Sequence, residues 1–392
     1  VKISTSCTYY STCVAPTVTS NPPNRSICVN GNTTFGATAT GTGLTYQWQQ
    51  NSGFGFTNIS NGGVFSNATT STLTISGATA GMNGYMYRVV VTGTCGTATS
   101  NAGTLSVSNI TASTNQNNIS CNGGANGSAS VSPSGGISSY TYSWSPSGGT
   151  NATATGLSAG NYTVLITDAI SCTASRTFTI TQPPAINLSS WSQTNIACNG
   201  GSTGAASVTP SGGAGGYTYS WAPSGGTGSS ATGLSAGSYT VQVTDANTCT
   251  ASRTFNITQP SALVLNPASQ TNIACFGGNT GGVNVSIVGG TSPFTYIWSN
   301  GATTRDITGV TAGTYTVTVT DRNNCTADTT VTVGQPADFT VVSTVENVSC
   351  FGAGDGSIDI LVTGATPPYN YDWSANTNNY TGTSLSNLSG AS

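Results

Sequence analysis

A segment of about 76 residues recurs along the chain, and every complete copy carries two cysteines at nearly constant spacing: Cys121 with Cys172, Cys198 with Cys249, and Cys275 with Cys325. A repeat of that length is one small folding unit, so the chain must form an array and not a shell around a single core. Other landmarks keep the same step. Trp144, Trp221, Trp298 and Trp373 stand at the same point of an aromatic run, and Asp168, Asp245 and Asp321 each precede the second cysteine by four residues. Units this small bury a modest share of their surface, which makes cross-links valuable. Regularly paired cysteines therefore predict export to an oxidising compartment. The expected pairing is one bridge inside each unit: Cys28–Cys95, Cys121–Cys172, Cys198–Cys249 and Cys275–Cys325. Closing a loop of about 50 residues contributes roughly 4 kcal/mol in the chain-entropy model.

The period divides the 392 residues as follows. Residues 1–15, with Cys7 and Cys13, read as the tail of a preceding module, their cysteines either paired locally or with partners outside the sequence. Residues 16–108 break the period. There Cys28 is followed by Tyr46-Gln-Trp48, by Leu73-Thr-Ile75, by Tyr85, Tyr87, Val89 and Val91, and by Cys95. Alternating strands with a Trp about 20 residues after a Cys predict an immunoglobulin-like sandwich, although Cys95 lies too far beyond Tyr87 for the usual cysteine position. Repeats follow at 109–183, 184–260, 261–336 and 337–392, the last read as truncated some eight residues before the partner of Cys350 is due. Gln182-Pro183, Gln259-Pro260 and Gln335-Pro336 mark the boundaries, where proline ends ladder pairing without adding a flexible linker.

Within one copy, Tyr140-Thr-Tyr-Ser-Trp144 puts its aromatic residues on one face of a strand, and Tyr162, Val164 and Ile166 share a face of the next. Tyr162, after the corner Leu157-Ser-Ala-Gly160, is placed to bond back to the backbone. Six or seven strands result. The fold class expected is all-β: a tandem array of small immunoglobulin-like β-sandwich domains, with one disulfide per domain, forming an extended rod.

The ordered motifs Cys-Asn-Gly-Gly at 121, Tyr-Thr-Tyr-Ser-Trp at 140, Gly-Leu-Ser-Ala-Gly-Asn-Tyr-Thr-Val at 156, Thr-Asp at 167 and then Cys172 resemble the SprB-type repeat. The likeness covers three copies and part of a fourth, and residues 16–108 resemble the immunoglobulin-like domains found beside such repeats. That family occurs in very large surface adhesins of gliding Bacteroidota. The resemblance implies an extracellular, outer-membrane-attached adhesin, exported by type IX secretion and working in attachment or gliding motility. Its implied partners are the outer-membrane secretion and motility machinery and a surface polysaccharide or solid substratum. Two functions compete: a stalk that spaces a distal tip, or repeats that grip polysaccharide or a solid surface many times over. A third is an accessory region of a secreted multidomain enzyme.

Composition narrows the chemistry. Histidine is absent, which removes the commonest general base and metal ligand, so no catalytic, cofactor or metal residues are expected. Asp355 and Asp359 form the one conceivable carboxylate pair, better read as turn or solvated residues. Charged residues make up 4%, against about 25% in an average domain, and seven Lys plus Arg provide no stripe to track phosphates, which excludes nucleic acid. No run of 18 apolar residues exists to span a membrane as a helix. Lys2 is the only lysine, so lysine-to-asparagine cross-links cannot staple each module. The lone aspartates before the second cysteines suit Asx-turns, while the acidic residues of the last two copies leave calcium open. Trp191 occurs in one copy only; it either packs against a neighbouring module or offers an exposed contact.

Overall fold

The computed structural model describes residues 13–373 and 382–389, and Cys7 lies outside them. Short runs rich in Thr, Val and Tyr, punctuated by Gly, Asn and Pro, form strands almost throughout. The single 3-10 turn Ala80–Met82 is the one helical element among the described residues. Two compact units result. The first runs to Ile186 and takes in Gly212–Gly216 and Asp245–Cys249; the second comprises Asn187–Ser211, Tyr217–Thr244 and the chain from Thr250.

In the first unit, the immunoglobulin-like part has one sheet in the order Arg25–Cys28, Gly103–Ser108, Met86–Gly93, Thr45–Asn51 and Phe56–Asn58. A second sheet is built from Thr33–Gly36, Thr72–Ile75 and Phe65–Ser66. Phe35, Trp48, Leu73, Tyr87, Val89 and Leu105 fill the core between them. Arg25–Cys28 runs parallel to Gly103–Ser108, so Cys28 lies beside Ser108 at the end of the domain from which the first repeat departs.

The first repeat is a sandwich of two three-stranded antiparallel sheets. Gly127–Ser134 lies between Thr111–Asn117 and Thr153–Leu157, and Gly160–Thr167 lies between Thr141–Ser145 and Thr173–Ile180. Period-two alternation works as expected: Tyr162, Val164 and Ile166 are buried while Asn161, Thr163 and Leu165 face water. Trp144 is buried and its indole N–H donates to Asn151 O at 2.8 Å, which satisfies the ring's polar atom inside the core. Tyr162 closes its corner through a hydroxyl donated to Ser158 O at 3.1 Å.

In the second unit the same six-strand order recurs at 187–257 and 264–333. The aromatic bonds recur with it. Trp221 donates to Gly228 O and Trp298 to Thr304 O, each at 2.9 Å, and Tyr239 and Tyr315 bond back to Ser235 O and Thr311 O. At 337–392 the described residues form one sheet only, Thr340–Glu346, Gly356–Thr363 and Ser384–Leu388.

Glycine is required at one recurrent turn. Gly135, Gly212 and Gly289 sit at φ +78°, +80° and +72°, and a Cβ there would collide with the carbonyl oxygen of Asn109, Ala185 and Ala262 respectively. Each of those carbonyls belongs to the first residues of the same repeat, so the glycine lets the chain enter its sandwich tightly.

Candidate functional site

The cysteines carry the main correction. No bridge closes within a repeat. Cys28 is joined to Cys172, Cys121 to Cys249 and Cys198 to Cys325, with Cα–Cα distances of 5.4, 5.5 and 5.6 Å. Cys95 is joined to Cys13 of the leading segment, not to Cys28. Cys275 and Cys350 are unpaired and exposed. The first cysteine of one module thus bonds to the second cysteine of the next.

Strand length explains why. In the first repeat, Ile119 N–H donates to Thr181 O, which places Cys121 at the Ile180 end of the strand Thr173–Ile180, whereas Cys172 precedes its other end. Eight residues of strand hold the two cysteines roughly 23 Å apart. A disulfide needs Cα atoms within about 7 Å. Cys28 and Cys95 are separated in the same way: Cys28 pairs with Ser108, while Cys95 sits in the turn beyond the far end of Met86–Gly93. Two cysteines at opposite ends of each sandwich can serve only its two joints.

Each joint is built from a turn and a loop. The turn is the Asp-x-x-x-Cys segment between the last two strands. Asp245 Oδ1 accepts N–H bonds from Asn247 and Cys249, both at 2.9 Å, and Oδ2 accepts from Ala214 at 2.8 Å. Asp321 repeats this with Asn323, Cys325 and Thr291. Asp168 accepts from Ile170, Cys172 and Ile137, and its fourth donor is the Ser108 hydroxyl at 2.6 Å, contributed by the immunoglobulin-like domain. These carboxylates are buried. Burial alone pushes the Asp168 carboxyl up, but the Ser108 hydroxyl and the three N–H groups outweigh it and hold the group below the usual carboxylate range. The Ala214 N–H does most to hold Asp245 low, against burial and with help from Cys249 and Asn247. For Asp321, burial is again the largest single influence, and the bonds from Cys325, Thr291 and Asn323 reverse it. The Asx-turn reading is therefore the observed one, in a form that aims the second cysteine.

The loop carries the first cysteine. Its first contact with the turn is a side-chain amide: Asn247 Nδ2 donates to Ser120 O, and Asn323 Nδ2 to Ala197 O, each at 3.0 Å. The loop is fixed from behind by the boundary residues. Gln182 Oε1 accepts from Gly123 N and Gln259 Oε1 from Gly200 N, both at 2.7 Å, while Asn122 and Asn199 donate to Pro183 O and Pro260 O. The roles of Gln182, Gln259, Asn247 and Asn323 escaped the sequence reading; recurrence of Gln-Pro at each boundary was the signal available.

Trp191 is 47% exposed and lies on its own repeat, with its ring 5.8 Å from that of Phe255 and Arg253 stacked 4.3 Å from its centroid. Asp355 accepts from Ser349 N and Asp359 bonds to Ser384 Oγ, so each carboxylate has its own partner. Among the described residues no three His, Cys, Asp or Glu converge as a metal set. No helix among them is long and apolar enough to cross a membrane.

Fold and joints together define a tandem β-sandwich protein cross-linked from module to module. Four of its segments, residues 113–149, 191–226, 268–303 and 342–378, match the SprB repeat, one in each successive copy. No curated protein sequence matches the chain. Among solved structures it is similar to the N-terminal eight Ig domains of Down Syndrome Cell Adhesion Molecule, at 12% identity and a TM-score of 0.29, over 90% of this chain and 64% of that one. It is also similar to the I-band fragment I67-I69 of titin, at 14% identity and a TM-score of 0.36, over 62% of this chain and 98% of that one. At such low scores neither likeness bears on function.

Proposed function

We propose that this region is a tension-bearing stalk of an exported surface adhesin. The observation that carries the reading is the overlap of successive bridges: Cys121 lies inside the loop closed by Cys28–Cys172, and Cys198 inside the loop closed by Cys121–Cys249. Overlap creates a covalent bypass. From Cys28 the path of bonds crosses to Cys172, follows the backbone to Cys198, and crosses again to Cys325. Only about 26 of the roughly 300 residues between Cys28 and Cys325 lie on it. Pulled taut, that path spans about 90 Å, whereas the unlinked chain would reach about 1,000 Å. A stalk holding a cell against drag needs that property, and a chain with one lysine must obtain it through sulfur.

Burial of Trp144, Trp221 and Trp298 favours spacing over repeated sugar stacking, because their ring faces are unavailable to a ligand. Export by type IX secretion, attachment to the outer-membrane motility machinery and a role in gliding are the finer parts of this proposal, and rest on the SprB family. The test is single-molecule extension by handles at residues 16 and 336. Oxidised chains should lengthen by at most a few hundred ångströms before rupture and reduced chains by about 1,000 Å. Equal extension in both states would remove the stalk's physical basis.

A further inference from the structure

The third repeat departs from its two predecessors at one strand edge. In the first and second repeats the backbone carbonyl just before the outer strand, that of Ala152 or Ser229, accepts the N–H of Val131 or Val208 at 3.0 Å. In the third, the equivalent N–H of Val285 donates to a side chain, Asp306 Oδ1, also at 3.0 Å. A carboxylate thus spans the gap that a carbonyl closes in the other copies, and the outer strand is shorter: Ile307–Val310, against Thr153–Leu157 and Ser230–Leu234. Beside it lies an open cleft of about 570 Å³. That is the size of a small-molecule site, about 300–1,000 Å³. Phe294 and Tyr296, two residues apart, turn half-buried rings into it. On the rim, Arg305 Nε and Nη2 donate to Asp306 Oδ2 at 3.1 and 2.8 Å. This is the one ion pair among the described residues, in a chain of which 4% is charged. Ile287, Phe294, Arg305 and Asp306 are peculiar to this copy: the first repeat has Pro133, Tyr140, Ala152 and Thr153 there, and the second has Pro210, Tyr217, Ser229 and Ser230.

We infer that this cleft is a binding site for a neutral saccharide, which lays the C–H face of one sugar ring on Phe294 and Tyr296 and offers neighbouring hydroxyls to Arg305 and Asp306. The hydrogen-bond inventory selects this ligand. Arg305 keeps both N–H groups of Nη1 free of Asp306, and the carboxylate keeps accepting capacity beyond the bonds from Val285 and Arg305. Donor and acceptor therefore stand side by side, as a pair of hydroxyls requires. Pairing of Val285 and its neighbours to the outer strand ends at Val283, and strand alternation turns the N–H and C=O of Ile287 to the same open side as those of Val285. An acidic sugar gains less, because Asp306 already neutralises the guanidinium. An extended peptide finds only the few residues from Val285 to Val288 to pair with. The buried Trp144, Trp221 and Trp298 take no part, so a single site in one copy is compatible with repeats that serve as spacers. Nothing in it depends on the stalk reading, which could fail while the site remained.

The probes are maltotriose, cellotriose, mannotriose, galactotriose and xylotriose, each titrated into the oxidised full chain and followed by saturation-transfer NMR. Trigalacturonate and a blocked hexapeptide of alternating Val and Thr represent the competing ligand classes. At least one neutral trisaccharide should bind with a Kd of about 1 mM or tighter, with the strongest transfer to its ring C–H protons. Its affinity should change less than about twofold between roughly 0.05 and 0.5 M NaCl, since no net charge is involved. The double substitution Arg305→Ser with Asp306→Ser installs the residues of the second repeat, which that sandwich already accommodates, and should weaken binding at least about tenfold. Tyr219→Ala, at the place in the second repeat that corresponds to Tyr296, should leave the affinity unchanged. Absence of binding by every neutral trisaccharide at about 20 mM, affinity that survives the double substitution, or preference for trigalacturonate or the hexapeptide would each overturn the inference.

Discussion

Asn247 reaches out of its own turn to donate a side-chain N–H to the carbonyl of Ser120, the residue that precedes the cysteine bonded to Cys249. The amide and the disulfide thus hold the same two backbone segments together, one reversibly and one covalently. The amide bond can align the sulfurs before oxidation. Asn247→Ala should therefore slow formation of Cys121–Cys249 during oxidative refolding several-fold and cost about 1 kcal/mol of stability once the bridge is made. Quenched-flow thiol alkylation and denaturant unfolding measure the two effects.

The turn aspartates predict an acid-labile joint. A carboxyl whose folded pKa lies below its unfolded value, about 3.9, adds stability that is present above that value and is lost as pH falls through the folded one. Asp168, Asp245 and Asp321 are all held low. Unfolding midpoints should stay level from pH 8 to 5 and fall below about pH 4. In Asp321→Asn the fall should shrink, and stability at pH 7 should drop because the turn loses its charged acceptor. Urea titrations across that pH range give the answer.

Much of this fold is legible without coordinates, for reasons that are local. Strand alternation fixes which faces of Tyr162, Val164 and Ile166 turn inward, and the Asp-to-Cys spacing fixes an Asx-turn, because each depends on a few consecutive residues. The cysteine pairing is a different kind of fact. Constant spacing within a repeat invites an internal bridge, yet Cys121 and Cys172 lie at opposite ends of Thr173–Ile180, and a strand cannot be shortened to join them. The length of the strand next to Cys172 excludes the internal bridge only once the bond of Ile119 to Thr181 places Cys121 at its far end, and naming the true partner required knowing which module's turn meets which loop. Trp191 shows a second limit, since its cover is Arg253 from the last strand of the same repeat, a pairing that no local pattern announces.

The recurrent glycine turn offers a direct check on the packing. At Gly212 the backbone is left-handed and the space for a side chain is filled by the carbonyl of Ala185. Gly212→Ala should destabilise its repeat by more than about 1 kcal/mol, since both the φ angle and the contact oppose a Cβ. Gly226, equally left-handed but with nothing near its Cβ position, should lose less on the same change. Differential scanning calorimetry of the two variants separates conformational strain from collision.

Removing an indole tests the module cores. Trp221→Ala deletes a buried ring and its bond to Gly228 O, and should cost about 3–5 kcal/mol. Because Cys198–Cys325 and Cys121–Cys249 remain, the altered repeat should lose hydrogen-exchange protection, yet after limited proteolysis its fragments should stay joined to those of its neighbours on a non-reducing gel. Full reduction before digestion should release it.

The central claim is that sulfur joins each module to the next, and peptide mapping under non-reducing conditions tests it most directly. The account predicts cross-linked peptides containing Cys28 with Cys172, Cys121 with Cys249 and Cys198 with Cys325. Recovery of Cys121 with Cys172 and of Cys198 with Cys249 would contradict it.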